Sequence, residues 1–275
     1  MKIKYLVLFF ICAAGLLTAG LFLSSNLDED AHLKCDENTP LSLAIKENNL
    51  QSAALLAEGK NLTKYNDCGH LPLQTAVLFQ NFNIVKLLVE AGADVNAVNK
   101  HDKETALITA AGLQTGNNAH ITQYLISQGA DVNARDDFNM TALHKAACNH
   151  YEGKVKALLQ NNADVNIKDN NGKTALHFAL SCGIEEQTPN VIQMLIAKGA
   201  NVNAKDNLAM TPLMYASINT HDNIPLDALR TLIKNGADIN AKNNAGESAL
   251  NPFIADTTQD RRKVTTYLKR SGAKD

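Results

Sequence analysis

Histidine is the residue type here with the widest scope for chemistry, because imidazole binds metals and transfers protons near neutral pH. His144 and His177 stand in two copies of Thr-Ala-Leu-His, 33 residues apart. His120, His150 and His221 fall between consecutive apolar segments, where a ridge of three histidines would be able to hold a metal ion. The alternative is three ordinary exposed histidines, and we predict neither a metal nor a cofactor.

Four cysteines follow the amino-terminal segment, and an even number suits an oxidising compartment. Cys35 and Cys68 lie shortly before two equivalent Thr/Leu-Pro-Leu tripeptides, whereas Cys148 and Cys182 lie seven and eight residues after two others. Both pairs are disulfide candidates. For Cys148 and Cys182 we favour two small buried thiols, since free cysteine is commonly buried.

Motifs of catalysis and of phosphate binding are missing from the sequence. It has no phosphate-cradling glycine loop, no Gly-x-Ser-x-Gly, no Cys-x-x-Cys and no His-Glu-x-x-His. The recurring carboxylates Asp94, Asp131, Asp164 and Asp238 suit turns and caps better than catalysis. A net charge of −2 gives no basic field, so nucleic acid is excluded as a partner.

A repeated unit must position these residues. One copy runs through the turn Asn171-Gly172, a cap at Thr174, a short apolar helix, a second apolar segment and a closing Gly199. Gly favours the left-handed helix end, and Thr accepts from a free amide of the first turn. The anchor tripeptides begin at Thr39, Leu71, Thr105, Thr141, Thr174, Thr211 and Ser248, so that the spacings are 32, 34, 36, 33, 37 and 37 residues. Such short helices need neighbours to be stable, which predicts a solenoid.

These residues resemble the ankyrin repeat family. The resemblance is carried by Thr141-Ala142-Leu143-His144, Thr174-Ala175-Leu176-His177, Thr211-Pro212-Leu213 and the Gly-Ala-Asp-Val-Asn closings. It implies an all-α repeat solenoid, with a β-turn finger and an antiparallel helix pair in each repeat. It also implies that His144 and His177 are structural, bonding locally across fingers and helix starts.

We expect the repeat domain to span 35–275, preceded by an acidic linker at 26–34. The seven expected repeats are 35–64, 65–99, 100–136, 137–169, 170–206, 207–243 and 244–275. Asn162 replaces the closing glycine of repeat four. Extra residues fall between the helices of repeats three, five and six, around Gly116, Gly183 and His221.

Residues 1–25 have a different character. Lys2 and Lys4 precede an apolar run from Tyr5 to Leu23, and Asp28-Glu29-Asp30 follows. A helix of that length reaches about 28 Å, enough for a bilayer core. The sequence leaves open whether the segment is an uncleaved hydrophobic anchor helix or a cleaved signal peptide. Either interpretation places the repeats outside the cytoplasm, in the periplasm or on the outer side of the inner membrane, as in an exported, bacterial-type ankyrin protein.

The resemblance and the missing catalytic motifs predict a non-enzymatic, monomeric module that binds another protein through its fingers and inner helices. The alternatives are an accessory or immunity protein that restrains a co-secreted hydrolase, and a metal-binding or enzymatic protein that uses the junction histidines. Fingers four and six carry apolar residues at tip positions that we expect to face solvent. The predicted contact stripe comprises Phe138, Met140, Leu208 and Met210, with Arg135, Asp136, Asn171 and Lys205 as its polar and charged surroundings. The alternative is that the two methionines fold back to fill gaps.

Overall fold

The computed structural model describes residues 39–113, 119–182, 188–218, 226–251 and 259–274. All of them belong to one compact unit, Glu37–Asp275. The amino-terminal segment, Cys35 and the three predicted helix junctions around Gly116, Gly183 and His221 lie outside the described residues. In the part that is described, no helix is both long and apolar enough to cross a bilayer.

Thirteen α-helices are described, and the first twelve form six inner–outer pairs. Repeats one to three contain α1 (Pro40–Lys46), α2 (Leu50–Leu56), α3 (Pro72–Leu78), α4 (Phe82–Glu90), α5 (Ala106–Gly112) and α6 (His120–Ser127). Repeats four to six contain α7 (Ala142–Cys148), α8 (Glu152–Gln160), α9 (Ala175–Ser181), α10 (Thr188–Ala197), α11 (Pro212–Ile218) and α12 (Leu226–Lys234). The outer helix of repeat seven is α13 (Gln259–Arg270), and a 3₁₀ helix (Gly59–Thr63) closes repeat one.

The helices begin and end where the sequence signals stand. Thr39 and Thr105 cap α1 and α5, their hydroxyls accepting from Ser42 N and Ile108 N at 3.0 and 3.3 Å. The closing glycines are left-handed, with φ near 90° at Gly92, Gly129, Gly199 and Gly236, and Asn162 takes the same conformation at φ 62°. The predicted cap role is therefore confirmed at Thr39 and Thr105, and the helix-end role at the closing residues. At Thr174 the hydroxyl makes no cap bond, and the threonine amide donates to His177 Nδ1 at 3.1 Å instead.

Inner helices pack on neighbouring inner helices and outer helices on outer ones, which gives a continuous apolar core. Its fully buried side chains include Ile45, Leu107, Leu143, Leu180 and Leu195. No single helix pair buries both of its faces, so the repeats depend on one another for stability.

An asparagine ladder links the closings of successive repeats. The Asn96 side chain donates to Gly129 O at 3.1 Å and accepts from Asp131 N at 2.8 Å. Equivalent bonds join Asn133, Asn166, Asn203 and Asn240 to the following repeats. The carboxylates of Asp94, Asp131, Asp164 and Asp238 each accept the amide two residues later at 2.9 Å, so their turn role is confirmed.

Candidate functional site

The fingers of repeats four to six are each organised by a buried aspartate. Oδ1 of Asp136 accepts the amides of Phe138 and Met140 at 2.9 and 2.8 Å. Asp169 and Asp206 make the same pair of bonds in the next two fingers. Burial raises the pKa of Asp136 and Asp169, opposed by these amide bonds. Our expectation that Asp136 belongs to an exposed charged surround is wrong, because its carboxylate holds the finger from inside.

Each aspartate fixes which tip residues face solvent. The residue two positions later points outward, as Phe138 and Leu208 do with 46% and 42% of their surface exposed. The residue four positions later turns inward, so Met140 and Met210 retain only 8% and 9%. Met210 Sδ lies 3.3 Å from Asn243 Nδ2 in the next finger. The expected solvent-facing position of the two methionines is therefore wrong, and the gap-filling alternative describes them.

The remaining predicted contact residues, Arg135, Asn171 and Lys205, are exposed as expected. Their role in binding stays a prediction. Together with Phe138 and Leu208 they lie on three successive fingers, so one partner would be able to touch all five.

The finger tips are strained where glycine is replaced. Gly172 has φ 78°, and a Cβ there would lie 2.6 Å from Asn207 Oδ1 and 2.9 Å from Asn207 N in the next finger. Asn139 and Ala209 occupy the equivalent places with φ 58°. Left-handed backbone is unfavourable for alanine, so finger six holds a strained tip next to the exposed Leu208.

A row of inner-helix side chains extends this surface. Lys145, Phe178 and Tyr215 each stand four residues after an anchor threonine and are partly exposed. The Lys173 ammonium lies 4.8 Å from the Tyr215 ring centroid and 5.9 Å from that of Phe178, within cation–π range. We call the surface formed by fingers four to six and these three side chains the inner face. The sequence motifs did not single out this helix row, although the shared register after each threonine was the available signal.

Ion pairing anchors the side of the inner face nearest repeat three. Lys145 Nζ lies 2.8 Å from Glu104 Oε1 and 3.8 Å from Asp136 Oδ2. Burial alone would lower the pKa of Lys145, but the contact with Glu104 reverses the effect and raises it. Tyr215 donates to Asp206 Oδ2 at 2.7 Å, and burial together with this carboxylate raises the tyrosine pKa. The inner face therefore presents groups held in place by neighbouring repeats.

Comparison with known proteins agrees with this architecture. A family model described as ankyrin repeats in three copies matches residues 8–99, 96–169 and 153–243. This chain is a member of the ankyrin repeat family. A solved structure of the ankyrin repeat domain of Bcl-3 is similar to it, with TM-score 0.68 and 29% identity over 84% of this chain and 98% of that domain.

Two curated relatives are eukaryotic proteins. The chain is 31% identical over 137 residues to protein glp-1 of Caenorhabditis elegans, and 30% identical over 154 residues to human B-cell lymphoma 3 protein. These matches cover 46% and 52% of this chain, but only 11% and 32% of the relatives. The ankyrin repeat is a non-enzymatic fold that typically binds proteins, which confirms that this domain is non-enzymatic.

The ankyrin histidines are structural, as the resemblance implied. His144 Nδ1 accepts from Thr141 N at 3.0 Å, and Nε2 donates at 3.1 Å to Ile167 O, which immediately precedes the finger of repeat five. His177 bonds to Thr174 N at 3.1 Å and to Met210 O at 3.3 Å. Burial lowers the pKa of both imidazoles to about 4, so they are neutral near pH 7.

The supposed histidine ridge is not one exposed surface. His150 is buried and its Nε2 lies 2.8 Å from Ala179 O, whereas His120 is exposed and His221 falls outside the described residues. In the described ranges, no group of three or more histidine, cysteine or acidic side chains is arranged to hold a metal. The described part of the chain therefore offers the metal-binding alternative no site.

Cys148 and Cys182 form a disulfide between α7 and the residue after α9, with a Cα–Cα distance of 5.2 Å. Our preference for two buried thiols is wrong, because adjacent inner helices bring their carboxyl ends together and Cys182 is exposed. Cys68 is also disulfide-bonded. Its proposed partner Cys35 lies outside the described residues, so that pairing stays a prediction.

Proposed function

We propose that this ankyrin repeat domain binds a partner protein through the inner face, outside the cytoplasm of a bacterial-type envelope. The exposure of Phe138 and Leu208 carries the binding part of the proposal. Both are large apolar side chains that keep nearly half of their surface exposed on fingers whose methionines are buried. Aromatic residues and arginine are enriched at the centres of protein interfaces, and Phe178, Tyr215 and Arg135 lie on the same face.

Two observations support export. Lys2, Lys4 and the apolar run that follows are typical of a signal or anchor segment. The Cys148–Cys182 disulfide includes an exposed cysteine, and such bonds persist mainly in oxidising compartments. Cleaved and retained forms of the leader both fit these observations.

The binding proposal is tested with Phe138→Ser combined with Leu208→Ser. The partner is first captured from the native envelope with the wild-type domain, and its affinity is then measured for both proteins. We expect the affinity to fall at least about tenfold, which equals about 1.4 kcal/mol. Both residues are exposed, so the free energy of unfolding should stay within about 0.5 kcal/mol of the wild-type value.

Leu50→Ser combined with Leu55→Ser is the matched control, because it removes two exposed leucines from the outer helix of repeat one. This control should keep wild-type affinity. Unchanged binding by the Phe138/Leu208 variant would place the partner elsewhere on the domain.

Export is tested by fusing alkaline phosphatase after residue 40, since this reporter needs an oxidising compartment to fold. We expect an active fusion. A well-expressed but inactive fusion would contradict export, and the mass of the mature amino terminus would then distinguish an anchor from a cleaved signal.

A further inference from the structure

We infer that the inner face binds an extended protein segment that carries both carboxylate and apolar side chains. This inference rests on the proposed function and adds the chemistry of the partner. It follows from the charges that remain accessible on the fingers, from the apolar groups between them and from the spacing of the repeats.

The accessible charges of the fingers are mainly cationic. Arg135, Lys168, Lys205 and Lys242 occupy the same position in fingers four to seven, directly before the aspartate or asparagine that organises each finger, and all are exposed. Within the described ranges none of the four has a carboxylate within 4.0 Å, unlike Lys103, which pairs with Asp137 at 2.7 Å. Lys168 donates to Lys205 O at 2.8 Å, which fixes its side chain along the row. These bases remain able to bind an incoming anion.

The acids of fingers four to six are already engaged. Asp136, Asp169 and Asp206 are buried and each accepts two backbone amides, while the exposed Asp137 pairs with Lys103. At long range, the negative charge of the buried carboxylates cancels much of the positive field of these cationic side chains. We therefore expect short-range hydrogen-bonded ion pairs with the partner rather than long-range steering.

Apolar surface lies between the cations. Phe138 and Leu208 protrude from the finger tips, Ile218 is exposed at the end of α11, and the edges of Phe178 and Tyr215 flank the Lys173 ammonium. A polysaccharide or oligonucleotide would satisfy the cations but has no aliphatic side chains to cover Phe138 and Leu208. A peptide with both carboxylates and apolar side chains complements both features.

Repeat spacing favours an extended conformation of that peptide. Packed helices lie about 8–10 Å apart, so the cationic side chains of successive fingers are separated by about that distance. A chain in the extended polyproline II conformation advances about 3.1 Å per residue with three residues per turn, which returns every third side chain to the side that faces the next finger. A segment of about twelve residues would span the four fingers.

The test is selection from a library of random peptides of about twelve residues on the full-length, non-reduced protein. We expect the enriched peptides to carry net negative charge together with leucine or aromatic residues. The best peptide, fluorescently labelled, should bind Lys168→Glu/Lys205→Glu at least about tenfold more weakly than wild type. It should also lose affinity for Phe138→Ser/Leu208→Ser.

Lys156→Glu combined with Lys198→Glu is the matched control. It changes the net charge by the same amount, but at exposed positions at or beside the outer helices of repeats four and five. We expect its affinity for the peptide to stay within about twofold of wild type, since surface changes away from the contact have small effects. An equal loss of affinity in both charge-reversed variants would show that net charge alone explains the weaker binding, and this would overturn the inference.

Other outcomes separate this inference from the function on which it rests. Neutral or basic enriched peptides that bind through Phe138 and Leu208 would overturn the acidic partner but leave the protein-binding module intact. Enrichment no better than on the bare matrix would overturn the inference. Dextran sulfate or an oligonucleotide binding as tightly as the best peptide, without any effect of the Phe138/Leu208 change, would identify a general anion site and overturn it as well.

Discussion

Repeat one and repeat five begin with similar Thr-Pro-Leu and Thr-Ala-Leu tripeptides, but their connections to neighbouring repeats differ. In repeat five, His177 bonds to Thr174 N on one side and to Met210 O of the next finger on the other. In repeat one the same place holds Ser42, whose hydroxyl accepts from Thr39 Oγ1 at 2.7 Å. The serine side chain is too short to span the gap between repeats. The start of α1 is therefore less firmly joined to repeat two than the start of α9 is to repeat six.

Repeat two shows that the imidazole itself is not required. Gln74 Oε1 accepts from Leu71 N at 2.9 Å, and Nε2 donates to Glu104 O of the next repeat at 2.7 Å. The needed chemistry is an acceptor on one side and a donor on the other, at the reach of His or Gln. The asparagine ladder also differs, because repeat one has Thr63 at the position four residues after its closing glycine, where repeat two has Asn96.

The anchor tripeptide determines where each inner helix starts. The side chain three residues after the first anchor residue determines how firmly one repeat is bonded to the next. On its outer helix, repeat one also exposes 74% of Leu55, whereas Leu195 on the outer helix of repeat five is fully buried. In a linear stack, stability adds up from neighbour contacts, so we expect opening to begin at repeat one.

The largest effect should come from the core of repeat five. Leu180→Ala leaves a cavity between inner helices, and we expect a loss of about 2–5 kcal/mol in the free energy of unfolding. Leu55→Ala on the outer helix of repeat one is the exposed-site control and should cost less than about 0.5 kcal/mol, because 74% of that side chain is exposed. Urea unfolding monitored by circular dichroism measures both. Similar costs at the two sites would remove the contrast.

Loss of the Cys148–Cys182 disulfide should come next. Its sequence separation of 34 residues corresponds to about 3–4 kcal/mol in the chain-entropy model. Cys148→Ser combined with Cys182→Ser should therefore speed amide hydrogen exchange in α7 and α9, with little change in α1 and α2. Dithiothreitol is the control, since it should speed exchange in α7 and α9 of wild type but not of the double variant. Equal exchange in wild type and variant would mean that the bond does not stabilise the centre.

Replacing the bridging side chain should have a smaller effect. His144→Gln keeps an acceptor and a donor, as Gln74 does in repeat two, and should cost less than about 1 kcal/mol. His144→Leu leaves Thr141 N and Ile167 O without this partner and should cost about 1–3 kcal/mol. Thermal unfolding of both variants measures the difference. Equal costs would show that volume matters here and hydrogen bonding does not.

The smallest effect concerns pH. The pKa of His144 and of His177 is about 4 in the folded state and near 6.5 when unfolded, so the unfolded chain binds more protons between those values. Stability due to these neutral imidazoles is complete above pH 6.5 and is lost as the pH falls toward 4. Each should contribute a loss of about 1 kcal/mol between pH 7 and pH 5.5. His144→Gln/His177→Gln should reduce that pH dependence, and an unchanged slope would contradict the buried neutral state.

Much of the fold was predictable because its signals are local. The caps at Thr39 and Thr105, the left-handed Gly199 and Asn162 and the apolar periodicity act within a few residues, and each gave the expected element. The candidate site was predicted in part. Phe138, Leu208, Arg135, Asn171 and Lys205 were placed at the surface correctly, whereas Lys145, Phe178 and Tyr215 were missed because they appear as ordinary helix positions in the sequence.

By itself, the sequence determined the repeated unit, its helix boundaries and its membership of a solenoid class, since short-range backbone preferences decide these features. Only the tertiary structure decided which side chains point outward. Met140 and Phe138 are both apolar and two residues apart, yet packing in the stack buries Met140, while Phe138 keeps 46% of its surface exposed. Likewise, the pairing of Cys148 with Cys182 depends on the approach of two inner helices, a distance that spacing along the chain does not encode.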